Sequence, residues 1–133
     1  MIVDEGRIPI ASEADIIVAR QHGRELAARL GASSTQQVLI ATAISELARN
    51  IVLYAQRGEI VLKAVEGSRR GVEVIARDDG PGIADLDLAL RDGYSTGGGL
   101  GLGLPGARRL MDEFVIESEV GKGTIVSMRK WVH

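Results

Sequence analysis

The sequence predicts an α+β fold: a two-layer α/β sandwich in which helices cover one face of a mixed, mostly antiparallel sheet. Helical and strand periodicities fall in separate blocks, in the order β-α-α-β-β-α-loop-α-β-β, and that segregation favours layers over a doubly wound parallel sheet. Two pairs of alternating segments are each joined by a short turn-rich link, the pattern of hairpins. With 133 residues the chain has room for one core, so residues 1–133 read as a single domain.

Each element has its own signal. Residues 6–10 (GRIPI) read as an edge strand, because Pro9 lacks a ladder donor. Ser12 is an N-cap with Glu13 and Asp15 in the following turn, and Gly31 suits the residue just past that helix. Ser33 or Ser34 opens a second helix that stops near Gly58, and its stripe of Ile40, Ile44, Leu47 and Ile51 follows the helical period. The period then changes to two. Residues 59–66 and 71–78 form a hairpin about GSRRG. Next come the turn DDGPG, a short helix over 84–91, and a flexible glycine loop over 92–99. Residues 102–113 form a helix with Pro105 in its first turn, where the missing donor does no harm. Residues 114–120 and 124–132 make a second hairpin around Gly121, Lys122 and Gly123.

Composition excludes several function classes. Sixteen Lys and Arg against eighteen Asp and Glu leave a net charge of −2, without a basic stripe to track phosphates, and aromatics are only 3% of residues. Nucleic acid is therefore not an expected partner. There is no cysteine, and the two histidines, His22 and His133, lie far apart, which argues against a zinc site. Apolar runs are short and the N-terminus lacks a signal pattern, so the expectation is a cytoplasmic protein without a membrane partner.

Three constellations can carry chemistry. Glu46 and Asn50 lie one turn apart on the shoulder of the second helix. A glutamate there can accept a proton, and an asparagine oxygen is a suitable ligand for Mg²⁺; taken alone, the pair is more simply a solvated one, since helices carry such pairs routinely. Asp78 ends a row with Val72, Val74 and Ala76 that alternation turns to one face. A carboxylate at the end of a burial row needs a donor, either a ligand amine or a backbone amide. The glycine-rich stretch is the third: of seventeen glycines, seven fall between Gly93 and Gly106. Neither a P-loop nor a dinucleotide fingerprint fits, because no strand runs into the first glycine and the only Gly-Lys pair sits in a hairpin turn. A lid fits better. Gly97 to Gly103 offers unencumbered amides, Leu100, Leu102 and Leu104 anchor the segment, and the next helix presents its positive end to an anion.

Taken together, ELARN (46–50), DDGPGI (78–83), GGGLGLGL (97–104) and GKGT (121–124) stand in the order and spacing of the four nucleotide-binding boxes of the GHKL ATPases. The sequence resembles that superfamily, and within it the small bacterial anti-sigma-factor serine/threonine kinases of the stressosome switch type. SELARNIVLYA, ARDDGPGI and GLGLPGARRLMDEF carry the closer likeness. The resemblance implies a Bergerat fold binding ATP and Mg²⁺, with Glu46 as general base and Asn50 as the Mg²⁺ ligand. By the same likeness Asp78 accepts from the adenine amine, Gly80 and Gly82 border the base, and Thr124 joins the water network around Asp78. Gly97, Gly98, Gly99, Leu100, Gly101, Leu102 and Gly103 then line the triphosphate. It also implies STAS-domain proteins as substrates and captors, and a PP2C-type phosphatase as the target of the released kinase. An anti-sigma factor that captures a sigma subunit, with ATP as a structural ligand, is the alternative. A histidine kinase would need a phospho-acceptor helix outside this fold, and His22 reads as a helix surface residue.

Overall fold

A computed structural model describes residues 2–83 and 103–132, with side chains from Glu5 onward. The helix expected over 84–91, and Gly97, Gly98, Gly99, Leu100, Gly101 and Leu102, lie outside the described residues. The elements are β1 (Ile2–Ile10), α1 (Glu13–Arg29), α2 (Ser34–Asn50), a π-helical turn (Ile51–Ala55), β2 (Gly58–Val65), β3 (Arg70–Asp78), α3 (Gly103–Leu110), β4 (Glu113–Glu119) and β5 (Gly123–Val132).

The strands form one sheet in the order β1-β2-β3-β5-β4. Every neighbouring pair is antiparallel, so the mixed sheet of the sequence reading is antiparallel throughout its described strands. Strand β1 is longer than the predicted 6–10 because it pairs along β2 as far as Val65. It is an edge strand, as Pro9 requires, with Pro9 opposite Glu59.

Local chemistry explains the helix ends. In α1 the Ser12 and Ala11 amides donate to the Asp15 carboxylate at 3.1 and 2.8 Å. In α2 the cap is Ser33, whose Oγ accepts from the Gln36 amide at 3.1 Å. Gly31 follows the C-cap Leu30 with φ +89°, the left-handed conformation glycine tolerates. The sequence predicts one continuous helix to near Gly58, but α2 widens into the π-turn after Asn50 and stops at Gln56, whose φ is 71°. Gly58 is already the first residue of β2, opposite Asp78.

One core lies between the sheet and the helices. The predicted stripe of Ile40, Ile44, Leu47 and Ile51 is fully buried, facing inward residues such as Ile60, Val72, Val74 and Met128. The stretch Ser34–Ala55 is long and apolar enough to cross a membrane by composition alone, yet half of its most apolar window is buried inside the protein, as suits a core helix. The other sheet face carries charges. Register aligns Glu5, Lys63, Glu73, Arg129 and Glu113 in one row across all five strands, alternating in sign. Arg129 pairs with Glu73 within it; that hydrogen bond holds the guanidinium above its ordinary pKa, against the opposing effect of burial.

Candidate active site

The site gathers at the end of the sheet where β3 finishes and β5 begins. Helix α2 carries Glu46, only 8% exposed, and the half-buried Asn50 one turn later. Burial of a carboxylate requires partners, and Glu46 has two. Its Oε1 accepts from Arg49 Nη1 at 2.8 Å, and its Oε2 accepts from the backbone amide of Gly103 at 3.0 Å. Gly103 is the first residue of α3, so a negative group sits at the positive end of that helix. The Arg49 partner was not read from the sequence; the signal available was its spacing, three residues from Glu46 on one helix.

Asn50 leads directly into the π-turn, and the turn reaches the second constellation. A methyl group on Gly80 would lie 2.6 Å from the Ala55 Cβ, so the loop after β3 packs on the π-turn without room for a side chain. Asp78 is half-buried, and its Oδ1 accepts from the Gly80 amide at 2.9 Å. The sequence reading asked for a ligand amine or a backbone amide; a backbone amide takes one oxygen, and Oδ2 remains on the same carboxylate.

Across the sheet, Asp78 stands opposite Thr124, and Thr124 stands opposite Ser118. The Thr124 and Ser118 hydroxyls are 2.8 Å apart. Ser118 also accepts from the Ile83 amide at 2.7 Å and donates to the Gly123 carbonyl at 3.1 Å. The Gly121 amide donates to the Pro81 carbonyl at 2.8 Å. The turn 78–83 is thereby fastened to the β4–β5 hairpin. Gly82 and Gly123 are needed for that approach: a Cβ at either would lie 2.3 or 2.1 Å from the carbonyl oxygen of Glu119 or Asp78. Ser118 is absent from the sequence-derived candidates, because only the β4–β5 register reveals its place.

A cleft of about 300 Å³ at this end of the sheet is lined by Asp78, Thr124 and Ser118 and also by Arg77, Ile125 and Glu117, the adjoining register row, which alternation turns to the other face. Neither Glu46 nor Asn50 lines it. The structure therefore joins the candidates in two groups, Glu46 with Gly103 and Asp78 with Gly80 and Thr124, with the segment Asn50–Ala55 between them. The donor set suits a magnesium-bound adenine nucleotide. The Asp78 carboxylate would suit an exocyclic amine, the Gly103 amide would suit a phosphate oxygen, and Asn50 would offer a hard oxygen to a cation.

Comparison with known proteins bears on the family. Residues 35–132 match the family described as histidine kinase-, DNA gyrase B- and HSP90-like ATPases. The chain is 49% identical over 130 residues to the serine/threonine-protein kinase RsbT of Bacillus subtilis, covering 97% of this chain and 98% of that one. It is 34% identical over 113 residues to an anti-sigma F factor of a Thermoanaerobacter species, covering 80% and 78%. Among solved structures, the RsbU and RsbW domains of a Mycobacterium tuberculosis protein align with a TM-score of 0.68 at 22% identity, over 98% of this chain and 33% of that one. A mycobacterial sensor histidine kinase, MprB, aligns with a TM-score of 0.57 at 12% identity, over 98% and 99%. These two structures bear on the fold. The family match over residues 35–132 and the near full-length likeness place the chain in the GHKL family of histidine kinase-, gyrase B- and HSP90-like ATPases, among the serine/threonine kinases of the RsbT type.

Proposed function

We propose that this serine/threonine kinase transfers the terminal phosphoryl group of ATP to a serine or threonine hydroxyl on STAS-domain partners, and that the released kinase activates a PP2C-type phosphatase. The observation that carries the reading is Glu46, a buried helical carboxylate joined to the first amide of α3, in a chain 49% identical to a named serine/threonine kinase.

Each residue then has a task. Asp78 Oδ2 and Thr124 hold the adenine edge, and Gly80 and Gly82 leave the backbone bare beside the ring. Asn50 would hold Mg²⁺, which when bound would neutralise phosphate charge. Gly103, with Gly97, Gly98, Gly99, Leu100, Gly101 and Leu102, would line the triphosphate. Glu46 takes the proton from the incoming hydroxyl as its oxygen bonds to phosphorus and the bond to the ADP oxygen breaks. Each Glu46 oxygen keeps a lone pair while bonded to Arg49 or Gly103, and the Gly103 amide is the donor a phosphate oxygen would claim. A kinase of this kind works where ATP is abundant, in the cytoplasm.

The test is incubation of the chain with Mg²⁺, labelled ATP and purified STAS-domain proteins, followed by mass spectrometry of the acceptor. The expected result is phosphoserine or phosphothreonine on the partner. The anti-sigma F relatives favour a second reading, capture of a sigma subunit. Nucleotide binding and sigma binding without any transfer would establish that reading in place of the first.

A further inference from the structure

We infer that Ser118 fixes the hydrogen-bond direction of Thr124, making the base end of the cleft an edge of acceptors that selects a 6-amino purine over a 6-oxo purine. This rests on the nucleotide reading above and names the residue that sets its specificity.

The argument is a count of protons. Ser118 Oγ has three neighbours: the Ile83 amide at 2.7 Å, the Gly123 carbonyl at 3.1 Å and the Thr124 hydroxyl at 2.8 Å. An amide N–H can only donate and a carbonyl can only accept, whereas a hydroxyl can do either. Ser118 has one proton, and it is directed to the Gly123 carbonyl. The one assignment that satisfies all three contacts therefore has Thr124 donating to Ser118. With its proton committed across the β4–β5 ladder, Thr124 Oγ1 can offer only lone pairs elsewhere. Its neighbour in register is Asp78, whose Oδ1 already accepts from the Gly80 amide and whose Oδ2 is again an acceptor. A purine 6-amino group meets that edge with two donors. A 6-oxo group would face it with another acceptor, an unfavourable pairing in a partly desolvated site.

The same count states what Ser118 prevents. Without it, the Thr124 hydroxyl turns and donates to a 6-oxo group, and the edge becomes ambivalent. The residue acts through Thr124, so it is a positioning residue with a selectivity phenotype.

The experiment measures Kd for Mg-ATP and Mg-ITP by calorimetry on the full chain. ITP differs from ATP by the 6-oxo group in place of the amine and the proton then carried on N1. Wild type is expected to prefer ATP. Ser118→Ala should narrow the ATP-to-ITP preference by about tenfold, the worth of one hydrogen bond gained or lost, and Ser118→Thr should keep it. Ser118→Cys retains the side-chain shape with a much weaker donor and acceptor and should narrow the preference in the same direction, which serves if the alanine variant does not fold. Thr124→Val should also narrow it, and adding Ser118→Ala to Thr124→Val should change nothing more. Unchanged selectivity in both Ser118→Ala and Ser118→Cys overturns the inference while the nucleotide site stands. A wild-type chain that binds neither nucleotide removes the nucleotide reading itself.

Discussion

The Glu46 carboxylate accepts a 3.0 Å hydrogen bond from the Gly103 amide, 57 residues further along the chain. The contact ties the helix that carries the proposed base to the end of the glycine-rich segment. In the proposed nucleotide complex a phosphate oxygen would take the Gly103 amide in place of this carboxylate oxygen.

Replacing Glu46 by alanine should therefore separate binding from chemistry. Phosphotransfer in single-turnover assays is expected to slow by about 10²- to 10⁴-fold, the usual worth of a positioned base, while calorimetry shows ATP still bound. Unimpaired transfer would mean that the base lies elsewhere.

Arg49 should have a smaller effect. Its guanidinium holds Glu46 Oε1 at 2.8 Å, and Arg49→Ala is expected to lower transfer by about tenfold, the lower end for a hydrogen bond between charged groups. Arg49→Lys should recover part of the rate. A loss of ATP affinity without loss of rate would assign Arg49 to binding.

For Asp78→Asn the expectation is loss of ATP binding by calorimetry. The amide can turn a donor toward the adenine amine, and it also weakens the 2.9 Å contact with Gly80. Wild-type affinity in this variant would take Asp78 out of the adenine role.

Gly80→Ala should destabilise the protein by about 1–3 kcal/mol in urea unfolding, since overpacking forces neighbours to shift. The added methyl would lie 2.6 Å from the side-chain methyl of Ala55 and 2.9 Å from its backbone. Adding Ala55→Gly should return only part of that loss, because the clash with the backbone of residue 55 stays. Full additivity of the two changes would show that they do not touch.

Gln56→Gly is expected to raise stability by about 1 kcal/mol and the melting temperature by a few degrees. Gln56 occupies φ 71°, ψ −34°, a region costly for any residue with a side chain. No gain on melting would place the relaxed conformation elsewhere.

Much of the fold was legible because it rests on periodicity. The stripe of Ile40, Ile44, Leu47 and Ile51 and the row of Val72, Val74 and Ala76 are buried as their spacing requires, and Ser33 and Gly31 bound their helices through local chemistry. Glu46 and Asp78 were legible as candidates because a carboxylate beside a burial stripe needs an explanation. The π-turn was not, since Ile51, Val52 and Leu53 continue an apolar helical pattern and only packing against Gly80 marks the change. Ser118 was hidden for a different reason. Its partners Ile83 and Thr124 are chosen by the register of β4 on β5, which alternation alone leaves free to slip. The full length of β1 was likewise set by its partner β2 rather than by its own residues.

The row of Glu5, Lys63, Glu73, Arg129 and Glu113 makes the solvent side of the sheet the less forgiving side. Each interior member has an opposite charge on both flanks, so reversing one sign, as in Lys63→Glu, would set like charges directly opposite one another on both neighbouring strands. Surface engineering of this protein for solubility or labelling should start on the exposed turns of α1, where a new charge has no such pair of neighbours to offend.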